Sequence, residues 1–246
     1  MRIFSKTDIG LLRDENQDCV WSAKLSDGAC AAVLCDGMGG ETHGGLASRI
    51  AVEVISKRIL GTFSVMMNRN SVRNLLITAT SAANSAVVDA ARSEPEGAVM
   101  GTTCVAAIVS GGRAYIVNVG DSRCYHLFTS DDSECIQQVT KDHSHVRDLI
   151  DRGEITEEQA KLHPDRNKIT RAIGAEEMVT PDYFELELED GDMLLLCSDG
   201  LSSYGDDMDI LDICFEHAPE DICDKLVDYA NGNGGHDNIS VALIAV

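Results

Sequence analysis

Ala31 to Gly40 reads A-A-V-L-C-D-G-M-G-G, an unbroken apolar run that stops at an acid and then turns glycine-rich. A run of this kind predicts a strand buried on both faces. Asp36 stands where the strand ends. Gly37, Gly39 and Gly40 allow the backbone to turn sharply and to come close to whatever the carboxylate holds.

The same grammar recurs along the chain. D-M-L-L-L-C-S-D-G at 192–200 runs an apolar strand into Asp199, and A-Y-I-V-N-V-G-D-S-R at 114–123 runs one into Asp121. G-G-H-D-N at 234–238 places Asp237 just before the apolar run I-S-V-A-L-I-A-V, and R-D-E-N-Q-D at 13–18 puts Asp18 at the head of C-V-W-S-A-K-L. Any one of these acids is explained as a turn or cap residue. Five gathered carboxylates would repel one another without a cation, and hard divalent ions such as Mg²⁺ and Mn²⁺ prefer oxygen ligands.

The 246 residues suffice for one large domain spanning 1–246, and no Pro/Ser-rich linker divides them. Hydrophobic residues make up 44% and charged residues 25%, as in ordinary globular chains, and no apolar run is long enough to cross a bilayer. The start, M-R-I-F-S-K-T-D, lacks the apolar segment of a secretion signal, so a cytoplasmic location is expected. The 20 Lys and Arg against 41 Asp and Glu leave a formal charge of −21, which argues against nucleic acid or an anionic membrane as partner. None of the nine cysteines forms a C-x-x-C pair, and none has an arginine six residues on, as a cysteine phosphatase would need. The nucleotide-cradling G-x-x-x-x-G-K-[ST] is also absent.

Strands are expected at 4–12 and 18–25, joined to the central run by an S-D-G hairpin at 26–28. Two helices follow, one striped by Leu46, Ile50 and Val54, the other beginning at Ser71 as N-cap. The segments 102–109, 114–119, 122–128 and 134–139 read as an antiparallel meander, and 182–188 with 193–197 as a hairpin across E-D-G-D. Between them, 142–174 is polar and carries a capping box at Thr156–Gln159, which predicts a small helical excursion at the surface. Helices at 207–217 and 220–231 and a closing strand complete the pattern. The order predicts an α+β sandwich of two sheets flanked by helices.

Taken together, R-D-E-N-Q-D, D-G-M-G-G, G-T-T, G-D-S-R, S-D-G-L and G-x-D-N-I-S, in this order, resemble the metal-dependent, type-2C Ser/Thr protein phosphatases, especially their compact bacterial branch. The resemblance implies a four-layer α-β-β-α sandwich of two antiparallel sheets, with a binuclear Mn²⁺/Mg²⁺ site between the sheet ends. By resemblance, Asp36 bridges both ions, the Gly37 carbonyl binds one, Asp199 and Asp237 complete the pair, and Asp18 acts largely through water. Asn238 supports Asp237, Arg13 grips the substrate phosphate, and Gly101, Thr102 and Thr103 shape the floor. Residues of about 144–180 correspond to a flap beside the cleft, on which His143 and His145 are expected at the surface.

The chemistry so implied is hydrolysis of phosphoserine and phosphothreonine by hydroxide bridging two ions. The implied partners are phosphorylated proteins and a cognate Ser/Thr kinase, and the expected state is a monomer. Asp121 resembles an acid that helps Asp199 hold a weaker third ion, where relatives often add an acid at the position of Ser203. Gln17 replaces a frequent Glu, and Met38 a His that can donate a proton to the leaving group. Two other readings stay open: a catalytically weak or dead relative that binds phosphoproteins, and a binuclear hydrolase of small phosphoesters.

Overall fold

The computed structural model describes residues 1–26, 28–93 and 100–246, and only the backbone at 40–42. Asp27 of the expected S-D-G turn lies outside the described residues. The chain runs β1 (Arg2–Asp8), β2 (Asp18–Ser26), β3 (Ala29–Met38), α1 (Gly40–Thr62), α2 (Arg69–Ala91), β4 (Gly101–Thr102), β5 (Cys104–Ser110) and β6 (Arg113–Val119). It continues β7 (Arg123–Ser130), β8 (Ser133–Gln138), α3 (His145–Asp151), α4 (Glu157–Lys161), β9 (Asp182–Glu187), β10 (Met193–Cys197), α5 (Asp199–Ser202), α6 (Asp207–Glu216), α7 (Pro219–Gly232) and β11 (Ile239–Ala245).

Two antiparallel sheets result, one ordered β1-β11-β10-β7-β8 and the other β2-β3-β5-β6-β9, with β4 beside β3. The two-residue period of a strand divides the apolar run of β3 between two cores. Ala31, Val33 and Cys35 face α1 and α2, where they meet Ala51, Ile55 and Leu76. Cys30, Ala32 and Leu34 face the other sheet and meet Leu194, Leu196, Ala242 and Ile244. A third core packs Leu195, Val241 and Leu243 against Ile210 of α6 and Ile222 and Leu226 of α7. Helices, sheet, sheet and helices therefore form the four-layer α-β-β-α sandwich.

Three local expectations are corrected. The meander is not continuous, because β5 and β6 belong to one sheet while β7 and β8 belong to the other. The chain changes sheets at 120–122, where the buried Asn118 donates its Nδ2 to the carbonyls of Gly120 (3.1 Å) and Lys141 (3.3 Å). β9 and β10 likewise lie in different sheets rather than in a hairpin. Asp192 shapes that turn by accepting from the Glu189 amide at 3.0 Å and standing 2.8 Å from His126 Nε2. Both inner faces are apolar, so alternation alone does not say which sheet a strand joins. Finally, α2 is capped by Asn68, whose Oδ1 accepts from the Ser71 amide; Ser71 lies inside the helix.

Candidate metal centre

The antiparallel pairing brings one end of each sheet to a common cleft. Asp18 and Asp36 are register partners across β2 and β3, Asp121 follows β6, Asp199 follows β10 and Asp237 precedes β11. All five acids singled out in the sequence thus stand at the ends of strands that meet there. Thr103 Oγ1 accepts from the Asp36 amide at 2.9 Å, the Thr103 amide donates to the Asp36 carbonyl at 2.8 Å, and Thr102 Oγ1 donates to the same carbonyl. The G-T-T segment therefore fixes the backbone of Asp36 from below.

Gly37 is required by close approach, since a Cβ there would lie 2.2 Å from the Gly44 carbonyl and 2.6 Å from that of Gln17. Asn238 works at the opposite wall. Its Oδ1 accepts from the Gln17 amide (2.8 Å), and its Nδ2 donates to the carbonyls of Ile9 and Glu15 (2.9 Å each). Arg13 is carried on the loop so held, and its Nη2 donates to Asp237 Oδ2 at 2.7 Å.

The acids share one electrostatic problem. Burial first, and neighbouring acids second, raise the carboxyls of Asp18 to about 7, Asp121 to about 8 and Asp199 to about 6, and hold Asp36 well above the ordinary carboxylate range. Asp36 is the common neighbour: its carboxyl feels the charges of Asp18, Asp199, Asp121 and Asp237 together.

Two oxygens show what would relieve this. Asp18 accepts a hydrogen bond from Ser198 Oγ at 2.8 Å on Oδ2, while its Oδ1 is buried without a partner. Asp199 Oδ1 is also buried and unpartnered. Buried acceptors are costly unless satisfied, and oxygen-only ligands suit Mg²⁺ or Mn²⁺. The residues present fit such ions.

Two functional supports were not foreseen. His143, expected on the flap surface, is 7% exposed. Its Nδ1 accepts from the Gly120 amide at 3.0 Å, immediately before Asp121, and its Nε2 lies 3.2 Å from Asp182. Burial lowers its pKa, consistent with a neutral ring that accepts on Nδ1. Arg123 is the second. It meets Asp142 through Nε and Nη2 and Tyr125 through Nη1, and Tyr125 donates to Asp207. Its place in G-D-S-R next to a strand was the available signal, but its partners are distant in sequence.

The segment between β8 and β9 carries α3 and α4, with the capping box at Thr156 present. It returns to the floor through mutual Thr102–Ile173 backbone bonds of 3.0 and 2.8 Å. A cleft of about 1070 Å³ lies between this segment and the α5–α6 turn, bordered by Asp121, Asp199 and Ser203. No helix among the described residues is long and apolar enough to cross a membrane.

Residues 13–234 match the protein phosphatase 2C family. The chain is 35% identical over 240 residues to the serine/threonine phosphatase stp of Listeria welshimeri, covering 97% of this chain and 93% of that one. It resembles the serine/threonine phosphatase structure of S. agalactiae with a TM-score of 0.89 at 32% identity, over 100% of this chain and 99% of that one. It also resembles the catalytic domain of the protein phosphatase PstP in complex with 2 manganese ions, with a TM-score of 0.83 at 33% identity, over 98% of this chain and 96% of that one. A match that runs nearly end to end in both sequence and fold has one meaning: the chain belongs to the protein phosphatase 2C family.

Proposed function

We propose that this chain is a metal-dependent phosphatase that hydrolyses phosphoserine and phosphothreonine in proteins. The observation that carries the reading is the convergence of Asp18, Asp36, Asp121, Asp199 and Asp237 on one cleft beside Arg13, with two of their oxygens buried and unpartnered. Asp36, Asp199, Asp237 and the Gly37 carbonyl would hold a pair of Mn²⁺ or Mg²⁺ ions, with Asp18 acting through water and Asp121 at a weaker third position. Bound there, the ions supply a water that ionises near neutral pH and positive charge against the phosphoryl oxygens.

The chain's own residues orient the substrate. Arg13 presents a planar fork of donors suited to a phosphate, and its ion pair with Asp237 keeps that fork at the site. Asn238 holds the loop on both sides of Arg13, and Thr102 with Thr103 keeps Asp36 from shifting. Met38 has no proton to give to the departing serine or threonine oxygen.

In this reading the chain is one catalytic domain, with a flap at about 144–180, and works as a cytoplasmic monomer against a Ser/Thr kinase. A pure binding module would have lost acids of the set, and all of them are present. Phosphate release from phosphoserine, phosphothreonine and phosphotyrosine peptides, with Mn²⁺ and with chelator, tests the reading. Release from the first two with Mn²⁺ alone is expected. Turnover that survives exhaustive chelation, or is confined to small phosphoesters, would replace it.

A further inference from the structure

Leu11 and Leu12, the two residues before Arg13, are 65% and 66% exposed, and Ile9 is 38% exposed. Large apolar side chains left in water beside a polar site call for an explanation. Looseness of the loop does not provide one. The amides of Leu11 and Leu12 both donate to the Gly235 carbonyl, at 2.8 and 3.2 Å, and Asn238 binds the carbonyls of Ile9 and Glu15 on either side. Gly10 has φ +79°, and a Cβ there would lie 2.2 Å from the Asp237 carbonyl. The leucines are thus held out by a loop clamped to the strand entry that carries Asp237.

The surface continues past them. Leu11 packs against Gly235, and the next residue, His236, meets the Tyr204 ring in a tilted pair with centroids 4.8 Å apart and planes at 33°. Tyr204 borders the cleft that also holds Asp121 and Asp199. Leu11 against Gly235 and the His236–Tyr204 ring pair thus set apolar and aromatic surface next to the loop that carries Arg13, with Leu12 exposed on the same loop.

We propose that this surface selects phosphoprotein segments with an apolar or aromatic residue directly beside the phosphorylated serine or threonine. The inference rests on the phosphatase reading above and names its substrate class. Leu12 is the chain neighbour of Arg13 and is exposed, so a segment whose phosphate is held by Arg13 meets the leucines with the residues next to its phosphorylated position. A formal charge of −21 disfavours acidic flanks over long range. One methylene in an apolar pocket discriminates by about 10-fold or more, which sets the scale for a whole Leu or Phe side chain on this more open surface.

The test uses the Mn²⁺-loaded full chain and phosphothreonine peptides identical except for Gly, Glu, Leu or Phe at each position next to the phosphoresidue. The expected result is a kcat/KM about 10-fold higher for Leu or Phe than for Gly at one or both positions. That ratio collapses to about 1 in Leu11→Ser/Leu12→Ser and in Leu12→Ser, which guards against disturbance of the loop by the double change, and returns in Leu12→Met. No preference in the wild type, or a preference that survives both serine variants, overturns the inference. So does loss of a dimer in the variants with unchanged preference, which would assign the leucines to a second copy of the chain. Cleavage of a small aryl phosphate with no peptide hydrolysed at all would overturn the protein-phosphatase reading instead.

Discussion

Asp18 and Asp36 are direct partners in the antiparallel ladder of β2 and β3. Like charges placed opposite each other destabilise a sheet. The folded pKa of Asp18 is raised from 3.8 to about 7, chiefly by burial. A carboxyl with a raised folded pKa contributes stability that is full below its unfolded value and lost as the pH rises through the folded one. Metal-free protein should therefore lose stability between about pH 4 and about pH 7, with Mn²⁺ restoring most at the alkaline end. Urea unfolding at both pH values, on wild type and Asp18→Asn, checks this. A metal-free stability that does not fall with pH, or a fall undiminished in Asp18→Asn, would contradict it.

Asp36→Asn and Asp237→Asn should each lower kcat/KM by about 10³-fold, the loss expected when several kcal/mol of charge stabilisation disappears. Neither change removes apolar packing, because asparagine keeps the size and shape of aspartate and alters only its charge. The folded state should persist, as circular dichroism would report. Near wild-type turnover in either variant would take that acid out of the site.

Arg13 donates to Asp237 while facing the site, so its removal should act on substrate affinity. Charge-assisted hydrogen bonds contribute about 1.5–3 kcal/mol, which predicts a roughly 10- to 100-fold loss of kcat/KM in Arg13→Ala. Arg13→Lys should recover only part of it, because an ammonium lacks the bidentate fork. Steady-state kinetics on one phosphopeptide decides this. Full recovery by lysine would show that charge alone matters.

Much of this was legible in the sequence because it is local. The apolar run before Asp36, the Pro219 start of α7 and the Thr156 capping box each depend on residues within a few positions, and all are found as expected. The five acids could be named because each stands where a strand pattern starts or stops. What was not legible depends on distant partners. The changes of sheet at 120–122 and between β9 and β10 follow from Asn118 meeting Lys141 and from Asp192 meeting His126. His143 looked like a surface residue because its ligands, Gly120 and Asp182, lie on two other segments. The leucines before Arg13 fell at the end of a strand expected at 4–12, whereas β1 stops at Asp8 and leaves both of them exposed.

The final prediction concerns the outer end of the cleft, where Asp121, Asp199 and Ser203 border the same space. Ser203 is exposed, and its amide donates to the Asp199 carbonyl at 2.8 Å, which fixes its Cα beside that acid. A neutral hydroxyl is a weaker ligand for a hard cation than a carboxylate. A third ion held by Asp121 and Asp199 should therefore bind more weakly than the inner pair, and Ser203→Asp should tighten it about 10-fold, the order associated with one improved supporting ligand. Asp121→Ala should weaken or abolish that site while leaving the two tighter ones measurable. Mn²⁺ titration calorimetry on the three proteins reads all of this directly. Three equally tight sites in the wild type, or a weakest site that neither substitution moves, would show that Ser203 does not limit the outer ion.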